Sequence, residues 1–204
     1  MNRLGFSAED FRVFEIEGFE ARMEALKGLV RPKLEKLGAE LAPALREATG
    51  EEFHPHVAKH QRRTVNPPAE TWVALGPSPR GYKRYGYLAL AISGGGLHAR
   101  VVVKSEADGR ARMAANFRKQ AKRLNGQLGG VTLRRYDGWD LQGLPQPLGA
   151  DAQFWEECAA ALAKKTGGID LGLGWAKREA LKLDFQAVVE HLAGLMPLYR
   201  LTRA

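Results

Sequence analysis

Two β-rich runs, 85–93 and 97–104, stand side by side with only Gly94-Gly95-Gly96 at their junction. A connection that short cannot hold a crossover helix. It turns the chain straight back and makes the runs an antiparallel hairpin. On the second run Leu97, Ala99, Val101 and Val103 alternate with His98, Arg100, Val102 and Lys104. One face of that strand is therefore apolar and the other largely polar. A further β-rich run, 71–75, lies just upstream. Consecutive strands in mid-chain, with helical patterns before and after, predict an α+β fold on a central, mainly antiparallel sheet with helices on its flanks.

The flanks read as follows. Ser7 is an N-cap for one helical turn, and 11–16 alternates as a short strand. Residues 18–30 have helical spacing, with Phe19, Met23, Leu26 and Val30 on one side. Pro32 breaks or kinks that helix. Leu34, Leu37, Leu41 and Leu45 carry a second helix that Pro43 should bend or end early and Gly50 should stop. Residues 53–59 are extended, and Pro55 makes them an edge strand. The clearest amphipathic helix is 107–124. Its stripe is Ala114, Phe117, Ala121 and Leu124, and Arg112, Arg118, Lys119, Lys122 and Arg123 fan over its solvent side. A strand at 131–136, a loop at 137–149 containing Trp139, a helix capped by Asp151 and running to 165, a half-buried strand at 169–175 and a helix capped by Asp184 and ended by Pro197 complete the order. No repeat or linker appears, so 1–204 is read as one domain, a length that supports a sizeable core.

Charge is distributed unevenly. Residues 54–135 hold 16 basic and 3 acidic side chains, a net of +13, while the whole chain is +8. Within this third, 54–84 concentrates three of the five histidines and six Lys/Arg beside one acid, Glu70. Such a field attracts phosphates and polyanions. Arginine grips phosphate with a fork of donors and lysine acts as a point charge. Pro67-Pro68 stiffens the segment, and Trp72, Tyr82, Tyr85 and Tyr87 are interleaved with its cations in the manner that suits stacking of single-stranded bases. His56, Lys59, His60, Arg62, Arg63, Asn66, Arg80 and Lys83 are the candidate anion-binding set, and RNA or a phosphorylated small molecule is the expected partner.

The run Val57-Ala58-Lys59-His60-x-Arg62-Arg63-x-Val65-Asn66-Pro67-Pro68-x-x-Thr71-Trp72-Val73-Ala74, followed by Arg80-Gly81-Tyr82-Lys83, resembles the signature of the YktB family, bacterial proteins of unknown function. The resemblance extends over 11–37 and returns in Leu195-Met196-Pro197-Leu198-Tyr199. It implies an intracellular single-domain protein and brings no activity with it. The family pattern has His at 56 and 60 but not at 54, which counts against a three-histidine site.

Other chemistries find less in the residues. His56 and His60 would meet as metal ligands only on a helix, and Pro55 and Val57 favour extended backbone. No metal and no cofactor is called for. A histidine among cations stays neutral and can serve as a base. An enzyme acting on a phosphate ester, with His56 or His60 as general acid or base, therefore stays open, although no nucleophile or orienting carboxylate has a diagnostic spacing. Gly-x-Ser-x-Gly, P-loop and Gly-x-Gly-x-x-Gly patterns are absent. A domain that docks an acidic protein is the third reading. The single cysteine, Cys158, excludes an internal disulfide and suits a reducing compartment. The N-terminal residues lack a signal-peptide core, and no apolar run is long enough to span a bilayer. A cytoplasmic protein with no membrane contact is expected, with no indication of oligomeric state.

Overall fold

A computed structural model describes residues 3–128, 132–137, 143–148 and 151–203. The chain forms α1 (Ala8–Arg12), a 3-10 turn (Val13–Glu15), α2 (Phe19–Ala25), α3 (Arg31–Thr49), β1 (His54–Val57), β2 (Glu70–Gly76), β3 (Gly86–Ser93), β4 (Gly96–Val103), α4 (Arg110–Gln127), β5 (Arg134–Arg135), α5 (Ala152–Ala163), β6 (Ile169–Ala176), α6 (Lys177–Ala180), α7 (Phe185–Gly194) and α8 (Met196–Leu201). The strands make one open sheet in the order β1-β2-β3-β4-β6-β5. Every neighbouring pair is antiparallel. The fold is α+β, as the hairpin requires, and β3 and β4 pair from Gly86 opposite Val103 to Ser93 opposite Gly96.

One sheet face is wholly apolar. Val73, Leu75, Leu88, Leu90, Ile92, Leu97, Ala99, Val101 and Val103 are buried there, in one core with the stripes of the helices. Leu34, Leu37, Leu41 and Leu45 of α3 recur at helical spacing, and all are buried. Gly38 lets that helix lie directly on the sheet, because an added Cβ would sit 2.7 Å from Val73 Cγ2 and 3.0 Å from Pro55 Cβ. Gly50 closes α3 at φ 75°, the left-handed conformation glycine adopts without strain. The stripe of α4 enters the same core through Met113, Ala114, Phe117 and Leu124. Its Arg112, Arg118, Lys119, Lys122 and Arg123 are exposed, as the phase predicts. Arg110 turns instead to the end of α5. It donates to the Leu162 and Gly167 carbonyls at 3.0 Å, and to those of Lys164 and Lys165, gathering the carbonyls at and just beyond the C-terminal end of α5.

Several local expectations are corrected. Residues 11–15 are helical, not a strand. Ser7 N–H donates to Asp10 Oδ2 at 2.6 Å, and this capping contact starts α1, with Phe11 and Phe14 inward at helical spacing. Pro32 does not break its helix. The chain passes it through a π turn over Leu26–Val30 and places it in the first turn of α3. Nor does Pro43 end α3, which runs on to Thr49. Pro43 and Ala39, whose carbonyl loses its donor, are both exposed, so water can satisfy that group. Pro197 opens α8 and does not end the chain's helical structure, consistent with the tolerance for proline in a first turn. α4 begins at Arg110 and continues past Asn125-Gly126 to Gln127, and α5 ends at Ala163. Trp139, and most of the loop around it, lie outside the described residues.

The second sheet face is polar and also buried. His98 and Arg100 of β4 face it, at 0% and 2% exposure. Arg100 Nη2 donates to Glu70 Oε2 on β2 at 2.5 Å, and Nη1 to Asp170 Oδ2 on β6 at 3.1 Å. Ala89 and Ala91 of the intervening β3 stay small enough to leave that path open. Tyr136 lies over the guanidinium at 5.0 Å and meets the His98 ring edge-on at 4.9 Å. Burial works against the Arg100 charge, and Asp170 and Glu70 more than offset it. Burial also pushes Asp170 up to about 6, against the pull of Arg100.

Removing one member of a buried ion cluster strands the others. Arg100→Met should lower the unfolding free energy by about 3–5 kcal/mol in a denaturant titration. Adding Glu70→Gln and Asp170→Asn should recover most of that loss. A single variant as stable as the parent would show that the cluster does not hold the three strands.

Candidate anion-binding cleft

The edge strand β1 supplies the first wall. Its register sets His56 opposite Ala74 on the polar face, while Pro55 and Val57 pair with Leu75 and Val73 on the apolar one. After the Ala58 N–H donates to the Trp72 carbonyl at 2.9 Å, the chain leaves the sheet. It turns at His60, where φ is 52°, the one positive value among the described non-glycine residues. Arg63 N–H donates back to the His60 carbonyl at 3.0 Å and closes the turn. Lys59, Arg62 and Arg63 project from it, all exposed.

The second wall is the loop from β2 to β3. The Ser78 carbonyl accepts from His56 Nε2 at 2.8 Å and ties this loop to β1. Tyr82 packs against His56 at 5.6 Å and edge-on against Tyr87 at 4.7 Å. Trp72 and Tyr82 rest on Ala74, Tyr87, Ala89 and Val102. His60 meets Trp72 edge-on at 5.4 Å, and Lys104 Nζ lies 5.8 Å from the Trp72 ring centre.

Between the walls is a cleft of about 960 Å³. It is lined by His56, Lys59, His60, Arg62, Arg63, Arg80 and Lys83 of the predicted set, and its lining includes no carboxylate. Asn66 is not part of it. That residue is exposed and offers its carbonyl to Arg63 Nη1 at 3.4 Å. His54 does not line it either. Trp72, Tyr82 and Tyr85, three of the rings interleaved with the cations in sequence, also line it, as does Arg84, which lay outside the candidate set. The role of Ser78 had no signal, because a backbone carbonyl makes the contact.

The cations differ in how far they are neutralised. Arg84 is paired with Asp108 at 2.8 Å, and Arg62 stands 4.0 Å from Glu106. Lys59, Arg63, Arg80 and Lys83 form no ion pair among the described residues. Glu70, the one acid of the segment, is engaged by Arg100. The two imidazoles are held separately. His60 Nε2 is 3.1 Å from Thr71 Oγ1, and His56 Nε2 is on Ser78. Burial, then Arg63, pushes the His60 pKa down to about 4, with Glu70 opposing. Among the described residues no three His, Cys, Asp or Glu side chains are grouped to hold a metal ion. Cys158 is buried, which pushes its thiol up to about 12, and it acts as a packed apolar group. No helix among the described residues is long and apolar enough to cross a membrane.

Comparison with known proteins places this geometry in a family. The chain belongs to the family described as Domain of unknown function (DUF1054), whose model matches residues 6–199. It is 52% identical over 92 residues to a UPF0637 protein of Bacillus velezensis, covering 45% of this chain and 44% of that protein. A UPF0637 protein of Bacillus licheniformis is 51% identical over the same span length, 44% of its own length. A UPF0637 protein of Staphylococcus aureus is 40% identical over 124 residues, 61% of each chain. These matches therefore span about half of the relatives' length. They agree with the YktB-type signature and carry no assigned activity.

The His60 shift has a testable sign. Its folded pKa lies below the unfolded value near 6.5, so its contribution to stability is present above pH 6.5 and is lost as pH falls toward 4. His60→Asn keeps a residue that tolerates the left-handed backbone. The stability of the parent relative to this variant should fall by about 1 kcal/mol from pH 7 to pH 4, allowing for solvent screening of a partly exposed ring. A difference constant over that range would place the ring in water.

Proposed function

We propose that the cleft binds single-stranded RNA through its phosphates and stacked bases. The observation that carries this reading is the set of unpaired cations, Lys59, Arg63, Arg80 and Lys83, around aromatic rings in a wall without carboxylates. Four like charges held together repel, and an anion that enters relieves the repulsion. The walls are tied to the sheet through His56 and Ser78, so the cations are held on a rigid frame. Tyr85 is 41% exposed and Trp72 and Tyr82 are half-buried, which leaves ring surface for bases. Stacking contributes about 1–3 kcal/mol per base and is indifferent to sequence. An acidic protein segment would use the cations and leave the rings idle.

Affinity for a labelled single-stranded oligoribonucleotide, followed by fluorescence anisotropy, should fall steeply with salt as counterions are released. Arg62→Ala with Arg63→Ala should flatten the slope by about 0.7–1 per lost phosphate contact, with stability changed by less than about 1 kcal/mol each. Lys27→Ala and Lys164→Ala, exposed and outside the cleft, are the controls. Lys33 is unsuitable, because its Nζ neutralises the buried Asp10 at 2.6 Å. Tyr85→Ala should weaken RNA binding and leave binding of a polyglutamate peptide unchanged. No RNA binding at low salt would refute the reading.

A further inference from the structure

The two histidines of the cleft wall share an arrangement that anion binding does not require. Each is anchored by Nε2 to a protein oxygen, His56 on the Ser78 carbonyl and His60 at the Thr71 hydroxyl. Each leaves Nδ1 without a hydrogen bond among the described residues. The Ser78 carbonyl can only accept, so His56 Nε2 carries a proton and Nδ1 is the nitrogen left free. His60 is also held in a backbone conformation that non-glycine residues seldom adopt, with φ 52°. Strain of that kind persists where the surrounding structure fixes a side chain in place, and it clusters at working sites. With no carboxylate in the lining, imidazole is the side-chain type there best suited to acid–base chemistry near neutral pH.

A nucleophile is what the protein lacks. Single-stranded RNA supplies its own, the ribose 2′-hydroxyl beside each phosphodiester. Resting on the binding reading above, we propose that the cleft cleaves the RNA it holds by internal transesterification, with His60 as general base and His56 as general acid. His60 Nδ1 takes the 2′-hydroxyl proton, and the freed oxygen lone pair forms a bond to phosphorus. The P–O5′ bond breaks, and its electron pair leaves with O5′, which receives the Nδ1 proton of His56, the ring whose charged form the bound phosphates favour. The products are a 2′,3′-cyclic phosphate and a 5′-hydroxyl end. No water, oxidant or reductant is consumed, and exchange with solvent resets both rings. Arg63 and Lys83, whose charges reach His60, would stabilise the negative charge that builds on the phosphoryl oxygens. The low pKa of His60 keeps it unprotonated at neutral pH, the state a base needs, and makes it a weak base, so turnover is slow.

The test uses the full chain, a short mixed-sequence oligoribonucleotide and its 2′-O-methyl analogue, at low salt with a chelator present. The unmodified strand should yield 2′,3′-cyclic phosphate ends, and the analogue should bind but stay intact. His60→Asn and His56→Gln should each reduce cleavage at least about 100-fold. Measured at saturating RNA, the loss of cleavage should exceed any loss of affinity, and far-UV circular dichroism reports whether the variants are folded. The ascending limb of the pH profile should lie near pH 4–5, where an ordinary imidazole would place it near 6.5. RNA bound but never cut overturns the cleavage proposal and leaves the binding reading standing. Cleavage unchanged in both variants traces to a contaminant and overturns it equally. Failure to bind either strand overturns both.

Discussion

A buried guanidinium holds the sheet together from its polar side. Arg100 reaches from β4 to Glu70 on β2 and Asp170 on β6, so one side chain spans most of the sheet's width. A cation this far from water is tolerable only with its carboxylates in place, and each carboxylate depends equally on the cation. The demand propagates outward. β3 must carry alanines where the side chain passes, and Tyr136 packs over the planar group. The apolar face could be built from many residue combinations of the right volume, whereas this face admits few.

That constraint also shapes the cleft. Because Arg100 engages Glu70, the one acid of the 54–84 segment is directed inward. Lys59, Arg63, Arg80 and Lys83 form no ion pair among the described residues, while Arg62 stands near Glu106. The sheet thus takes up the negative charge and leaves the rim positive. Trp72 joins the two regions, with one side on the sheet alanines and the other toward His60 and Lys104.

How much of this was legible varied with sequence separation. The alternation of β4, the hairpin, the stripes of α3 and α4 and the Asp151 and Asp184 caps are local patterns and read correctly. Seven residues of the candidate set line one cleft because they come from two short stretches, 56–63 and 80–83, that the His56–Ser78 contact ties together. Arg100 read only as a residue on a polar face, since its partners lie 30 and 70 positions away. At 11–16 a short apolar run fitted two periods, and the capping contact between Ser7 and Asp10 decided for helix. Pro43 was read as a bend or an early end because sequence does not say that Ala39 faces water.

The two outer strands of the sheet show how it is bounded. β1 has four residues, and Pro55 removes one donor from it, while β5 has only two. Among the described residues, neither outer strand is long enough to offer an extended row of amides to a neighbouring molecule. A chain whose central strands 86–93 and 96–103 are almost wholly apolar on one face carries the raw material of a fibril. Both strands are kept interior, behind short and irregular margins that offer little template for further pairing.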